Sequence, residues 1–190
     1  MNNMRKLLIY GFVAIFCTTN AFARGRAPTI DEAQMEAIGS VLQFAIPLSA
    51  LAYSSYIDDW EGDWQLAKTM GSTYVTTEVL KYTVKADRPR EPDGTAGKSF
   101  PSGHTSFAFA GASYWQRRYG WGIGIPMYAA ASFVGYSRIR AKAHNWADVI
   151  GGAVVGTAFG YLFTSRYSDN TSVSVEPTDG GAYLHFSTKF

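Results

Sequence analysis

The sequence predicts an all-α protein, an antiparallel bundle of about five core helices with a possible small C-terminal β-hairpin. Apolar segments of helical length alternate with short connectors rich in Gly, Pro and charged residues. Hydrophobic residues make up 47% of the chain, and Ala, Gly and aromatic residues together outnumber Leu, Ile and Val. Such side chains suit closely packed helices and also helices at a membrane surface. With 190 residues the chain is long enough for one core and too short for two comfortable domains.

The first 23 residues have the three-part layout of a secretory signal peptide. Arg5 and Lys6 form a basic start, residues 7–17 an apolar run, and residues 21–23 (Ala-Phe-Ala) a small-x-small exit. Cleavage is expected after residue 23, and an uncleaved first transmembrane helix is the alternative. The only cysteine, Cys17, lies in this segment, so the mature chain needs no disulfide.

Charge gives no indication of nucleic-acid binding. The formal net charge of +2 at pH 7 comes from the two basic residues of the signal peptide, so the mature chain is neutral overall. A nucleic-acid-binding protein would carry a clustered basic excess. Any cationic site in this protein must therefore arise from local clustering of a few side chains.

The first half of the chain predicts two helices. The first is predicted from Asp31 to Ile57, and residues 58–64 (DDWEGDW) are expected to form an acidic, aromatic loop. The second is predicted from about Trp64 to Lys85, and it stops before Pro89 because the residue before a proline disfavours helix. Residues 90–100 are rich in Pro and Gly and are predicted to be a loop.

Three more helices follow. The third opens at Pro101-Ser102 and ends near residue 118, and residues 119–122 (YGWG) turn the chain. The fourth covers roughly Ile123 to Arg138 and leads through the basic loop 140–143 into the fifth, from about His144 to Phe163.

The tail differs in kind from the helical part. Residues 171–175 and 182–190 alternate apolar and polar side chains around a turn signal at 177–181, a pattern typical of a β-hairpin. An isolated hairpin is marginally stable, so it is expected to dock on another part of the protein. The predicted organisation is a signal peptide at 1–23, a helical domain at 24–170 and a tail at 171–190.

Antiparallel helices with short connectors bring four helix ends to one pole. The unusual polar residues gather at those ends: Lys81, Arg88, Ser102, Gly103, His104, Arg138, His144 and Asp148. Three unpaired cations, two at the end of the second helix and one at the end of the fourth, converge on one point and indicate an oxyanion with several oxygens as ligand. The Pro-Ser-Gly start of the third helix adds free backbone amides, which also bind anions.

His144 and Asp148 are predicted to act as nucleophile and partner. Their i, i+4 spacing on a helix would place both on one face, where the carboxylate can fix the imidazole tautomer and raise its nucleophilicity. His104 is then available to protonate a leaving oxygen. Taken singly, each of these two histidines would more often be a cap or a surface residue. His185 in the tail is expected to be a surface residue.

Three stretches together resemble the signature of the type 2 phosphatidic acid phosphatase family, whose relatives include the vanadium haloperoxidases. They are KYTVKADRP from Lys81, PSGH from Pro101 and SRIRAKAHNWAD from Ser137. Every specified position of the family pattern is present, in order, between residues 81 and 148. The resemblance implies an all-helical fold and phosphatase chemistry that needs no metal or cofactor.

The resemblance also implies a role for each site residue. Phosphate would be bound by Lys81, Arg88, Ser102, Gly103 and Arg138. His144 would be the nucleophile, His104 the general acid and Asp148 the partner of His144. The substrates of the family include lipid phosphates, isoprenoid pyrophosphates, sugar phosphates and simple monoesters.

We therefore expect a phosphatase of the bacterial cell envelope that acts through a phosphohistidine, on a phosphomonoester or pyrophosphate of a membrane lipid. Uncharged stretches at 37–57, 121–137 and 149–165 approach the length that spans a bilayer, which favours an inner-membrane protein with its site facing the periplasm. Lys68 and Glu78 in the second helix and a mean hydropathy of -0.07 favour the alternative, a soluble periplasmic acid phosphatase of broad specificity. A vanadium haloperoxidase and a non-enzymatic envelope protein are further alternatives.

Overall fold

Within the residues that the computed structural model describes, which are 30–89, 97–167, 171–178 and 181–188, five helices are followed by two strands. The elements are α1 Ile30–Tyr56, α2 Trp60–Val84, α3 Gly103–Tyr119, α4 Trp121–Arg140, α5 Trp146–Phe163, β1 Thr171–Thr178 and β2 Gly181–Thr188. The predicted all-α bundle is confirmed. The signal peptide predicted at 1–23 lies outside the described residues.

Two connections are shorter than the sequence predicts. The helix α2 begins at Trp60 rather than near Trp64, because the carboxylate of Asp59 caps it by accepting a hydrogen bond of 2.9 Å from the amide of Gly62. Most of the predicted acidic loop is thus the first turn of a helix. The helices α3 and α4 are separated by Gly120 alone, whose φ of 96° lies in the left-handed region that favours glycine.

The helix α3 lies at the centre of the bundle and packs against all four other helices. Its sequence is rich in small side chains, and Ala108, Ala110, Ala112 and Tyr114 are completely buried. A helix whose apolar and small residues surround its whole circumference has no face for solvent and becomes the core of the fold.

Glycines on α5 bring its backbone into direct contact with α3. A Cβ atom on Gly152 would lie 2.6 Å from the carbonyl oxygen of Ser102, and one on Gly156 would lie 2.1 Å from that of Ser106. Only glycine allows two helices to approach this closely. The contact sets the start of α5 beside the start of α3, where the Ser102 amide donates to the carbonyl of Asp148 at 2.9 Å.

The pole that holds the α1–α2 and α3–α4 connections, here the distal pole, is fixed by a buried ion pair. The guanidinium of Arg118 near the end of α3 contacts both carboxylate oxygens of Asp59, with Nε donating at 2.7 Å. Tyr119 donates its hydroxyl to the same carboxylate at 2.8 Å. The acidic stretch 58–64 and the end of α3 are thus partners.

The predicted hairpin is present in the tail. The strands β1 and β2 pair antiparallel, with Val175 opposite Leu184 and Thr171 opposite Thr188. Its docking on the helical bundle stays a prediction.

Candidate active site

The pole opposite to Arg118, here the proximal pole, collects the ends of α2 and α4 and the starts of α3 and α5, as the sequence predicts. Hydrogen bonds join these ends directly. The ammonium of Lys81 donates to the carbonyl of Pro101 at 2.9 Å, and Ser102 donates its amide to the carbonyl of Asp148. Residues that are far apart in the chain therefore line one site.

His144 and Asp148 form a buried pair, with His144 Nδ1 3.4 Å from Asp148 Oδ2. The helix α5 begins at Trp146, so His144 lies in the connector before it and not on a helical face as predicted. The pair forms because Asp148 in the first turn reaches back, where its carboxylate also accepts the amide of Asn145 at 2.9 Å. The carboxylate is therefore held in place by backbone as well as by the imidazole.

Burial keeps His144 neutral. Removal of the imidazole from water lowers its pKa to about 4, and this effect outweighs the hydrogen bond to Asp148, which raises the pKa. The cations Lys81 and Arg88 lower it further. A neutral imidazole has a free lone pair, which a nitrogen nucleophile requires at physiological pH.

His104 occupies the first turn of α3, with its Nε2 3.4 Å from the hydroxyl of Ser40 on α1. Burial, followed by the charge of Arg138, holds the pKa of His104 well below its ordinary value. The neighbouring cations that disfavour the imidazolium are also those that would bind phosphate. A phosphate dianion among them would reverse their effect and favour the protonated form, which a general acid needs.

The three cations differ in how many of their hydrogen-bond donors already have a partner. The ammonium of Lys81 donates to the carbonyls of Lys98, at 3.1 Å, and Pro101, which leaves one of its three protons for a ligand. Within the described part of the chain, the Nε of Arg88 is buried without a hydrogen-bond partner. Buried donors of this kind are rare unless a ligand satisfies them.

Arg138 is buried and has a carboxylate neighbour, which corrects the prediction of three unpaired cations. Its guanidinium donates to the backbone carbonyl of Glu36, and its Nη1 lies 3.6 Å from the Glu36 carboxylate. A third contact runs from its Nε to the hydroxyl of Ser137 at 3.1 Å. The guanidinium is therefore fixed in direction before any ligand arrives.

The start of α3 offers fewer free amides than the sequence indicates. The amide of Ser102 is occupied by the carbonyl of Asp148, and its completely buried hydroxyl accepts from Thr105 at 3.0 Å. Because α3 begins at Gly103, the amides of Gly103 and His104 lie in the first turn, where an α-helix has no internal acceptor for them. These two amides are the ones available to an anion.

The sequence analysis missed the contribution of α1. A Cβ atom on Gly39 would lie 2.0 Å from the hydroxyl of Ser137 and 2.9 Å from Arg138 Nη2, so α1 packs directly on the end of α4. This contact delivers Glu36 and Ser40 to the site. One signal was available, since Glu36 is the last charged residue before the uncharged stretch of α1.

Comparison with known proteins identifies the family. The sequence model of the PAP2 superfamily matches residues 63–172, more than half of the chain and the part that holds every predicted site residue. The chain belongs to the PAP2 superfamily. Its first helix, with Glu36 and Ser40, precedes the matched residues.

Relatives with this PAP2 domain are named phosphatases. The lipid A 4'-phosphatase of Helicobacter pylori is 32% identical over 144 residues, which are 70% of this chain and 71% of that protein. The lipid A 1-phosphatase of Porphyromonas gingivalis is 47% identical over 75 residues, 37% of this chain and 17% of that protein. The crystal structure of Aquifex aeolicus LpxE has a TM-score of 0.60 at 21% identity, covering 76% of this chain and 96% of that one, and shows the shared fold. This PAP2 protein is a phosphatase.

Anion binding by the PAP2 site should weaken in alkali. Burial, followed by the charge of Arg88, lowers the pKa of Lys81 to about 8, so the lysine loses its charge as the pH rises through that value. Sulfate stays a dianion throughout, and its inhibition constant should rise about 10-fold from pH 7 to 9.5, the loss expected for one charged hydrogen bond. In Lys81→Arg the constant should stay flat, because a guanidinium remains charged. A flat profile in the unchanged protein would show that Lys81 does not contact the anion.

Proposed function

We propose that this phosphatase removes a phosphate group from a membrane lipid, with lipid A as the first candidate, through a phosphohistidine at His144. The observation that carries the proposal is the convergence of a buried histidine–carboxylate pair with a second histidine and three cations at one pole. The names of the bacterial relatives support lipid A as substrate. A phosphate ester or pyrophosphate of another membrane lipid would use the same chemistry.

In the first step the Nε2 of His144 attacks phosphorus and the bond from phosphorus to the leaving oxygen breaks. His104, protonated once the dianion is bound, gives its proton to that oxygen. Arg88, Arg138 and Lys81 stabilise the charge that develops on the phosphoryl oxygens. The products of this step are the dephosphorylated lipid and a phosphohistidine.

In the second step water replaces the lipid alcohol. Neutral His104 accepts a proton from water, whose oxygen attacks phosphorus while the bond from phosphorus to His144 breaks. Inorganic phosphate leaves and both imidazoles return to their starting states. Asp148 stabilises the positive charge on His144 as the phosphohistidine forms and orients the ring in both steps.

The outer surface of the bundle supports a membrane location. Two helices are long and apolar enough to cross a bilayer, residues 31–56 with a mean hydropathy of 1.4 and residues 146–163 with 1.3, and only about a third of each apolar stretch is buried inside the bundle. Exposed Trp121 lies at the distal pole and exposed Trp146 at the proximal pole, where membrane proteins carry aromatic side chains. Exposed Lys68 on α2 is the feature that favours the soluble alternative.

The test is phosphate release by the purified protein in detergent with a chelator present. The panel holds lipid A, phosphatidate, phosphatidylglycerophosphate, undecaprenyl pyrophosphate and a soluble aryl phosphate. The proposal expects chelator-resistant release that is fastest from a lipid. Two results together would contradict the proposal: equal or faster release from the aryl phosphate, and removal of the protein from membranes by a wash at high pH. They would identify the protein as a soluble acid phosphatase.

A further inference from the structure

Ser99 contacts both members of the histidine–carboxylate pair. It lies in the connector between α2 and α3 and is completely buried. Its hydroxyl donates to Asp148 Oδ2 at 2.5 Å, and the same oxygen lies 3.3 Å from His144 Nδ1. The family signature quoted above does not include this position, which lies two residues before Pro101.

The number of protons in this cluster decides the tautomer of His144. A serine hydroxyl has one proton, and the short distance assigns it to the carboxylate of Asp148. The oxygen of Ser99 is then an acceptor towards His144, as is Asp148 Oδ2 at 3.4 Å. Two acceptors facing Nδ1 require a proton on that nitrogen, because a lone pair there would be repelled by both.

The backbone on both sides of Ser99 is anchored at the end of α2 and in the residues just after it. The amide of Ser99 donates to the carbonyl of Ala86 at 2.8 Å. On either side, the carbonyls of Lys98 and Pro101 accept from the ammonium of Lys81. The hydroxyl is thus held by an element separate from the one that carries Asp148, and it limits how far the carboxylate can turn.

We propose that Ser99 is a positioning residue for the nucleophile. By donating to Asp148 and accepting from Nδ1 of His144, it fixes the tautomer that leaves Nε2 unprotonated and able to attack phosphorus. The inference rests on the proposed function, in which His144 is the nucleophile. Ser99 itself does not touch phosphate, so its effect belongs to the chemical step and not to binding.

The first test is Ser99→Ala. Loss of one hydrogen bond to a charged group should lower kcat about 10- to 100-fold, while KM and the inhibition constant of sulfate stay within about twofold because the phosphate contacts are intact. Ser113→Ala is the matched control, since Ser113 is also completely buried but donates to a backbone carbonyl within α3. A parallel loss of sulfate binding would show distortion of the whole site and overturn the proposal.

The second test is a double-mutant cycle with Asp148→Ala. Because Ser99 and Asp148 hold the same nitrogen of His144, the loss of kcat in the double variant should be clearly smaller than the product of the two single losses. Multiplied losses would overturn the proposal. Ser99→Thr keeps the hydroxyl and should retain most of the activity. If Ser99→Ala does not fold, Ser99→Thr is compared instead with Ser99→Val, which has nearly the same shape but no hydroxyl.

Failure of this inference differs from failure of the proposed function. If the unchanged protein releases phosphate, His144→Ala does not, and Ser99→Ala matches the unchanged protein, Ser99 has no positioning role. If the unchanged protein releases no phosphate from any substrate in the panel, the proposed function fails, and the Ser99 inference fails with it.

Discussion

Replacing His144 with alanine is expected to lower kcat for phosphate release by at least about 10⁴-fold, the size of loss seen when a nucleophile that forms a covalent intermediate is removed. In the proposed mechanism none of the described neighbours takes its place, because His104 transfers the proton and Ser102 is a completely buried hydroxyl that accepts from Thr105. Sulfate should still inhibit any residual activity with an unchanged constant. The measurement is steady-state phosphate release with lipid A or the best substrate of the panel.

His185→Ala is the matched control, because it makes the same substitution at the third histidine of the chain. Its activity should equal that of the unchanged protein. Rapid quenching should also trap a phosphoenzyme that is labile in acid and stable in alkali, as phosphohistidine is, in the unchanged protein and in His185→Ala but not in His144→Ala. Equal activity in His144→Ala would mean that another residue, or water itself, attacks phosphorus.

The sequence was sufficient to predict that these residues meet at one pole, because helix ends can be located from prolines and glycines. Once five helices alternate in direction, residues as distant as Lys81 and His144 must meet at one pole. The family signature assigns the same residues independently. The start of α5 shows the limit of this reasoning, since the contact between His144 and Asp148 is made across a helix boundary that periodicity does not locate.

Neighbours from outside the signature were not predictable in the same way. Whether Glu36 and Ser40 face the site depends on the rotation of α1 about its axis, which is set by the close contact of Gly39 with Ser137. Apolar periodicity predicts that a helix has a buried face but not which helix covers it. Ser99 lies in a connector without periodicity, so only the folded chain reveals its two partners.

The distal pole gives the largest expected effect on stability. Asp59→Asn should lower the free energy of unfolding by about 3 kcal/mol, the lower end for breaking a buried ion pair, because the buried guanidinium of Arg118 keeps only the exposed carboxylate of Glu61, at 3.8 Å. An uncharged amide can replace only part of the bidentate contact and cannot accept as strongly from Tyr119. For a chain of this length the corresponding fall in Tm is about 10 °C.

Thermal unfolding in detergent measures the effect, and Asp58→Asn serves as control. Asp58 is the exposed acidic neighbour of Asp59, and asparagine also tolerates its positive φ of 59°, so its replacement should change stability by less than about 0.5 kcal/mol. Below its Tm, Asp59→Asn should keep the kcat of the unchanged protein, since the ion pair lies at the pole opposite to His144. The helix α3 carries His104 in its first turn and Arg118 near its end. A large loss of kcat in folded Asp59→Asn would show instead that α3 transmits a change at the distal pole to His104 at the proximal pole.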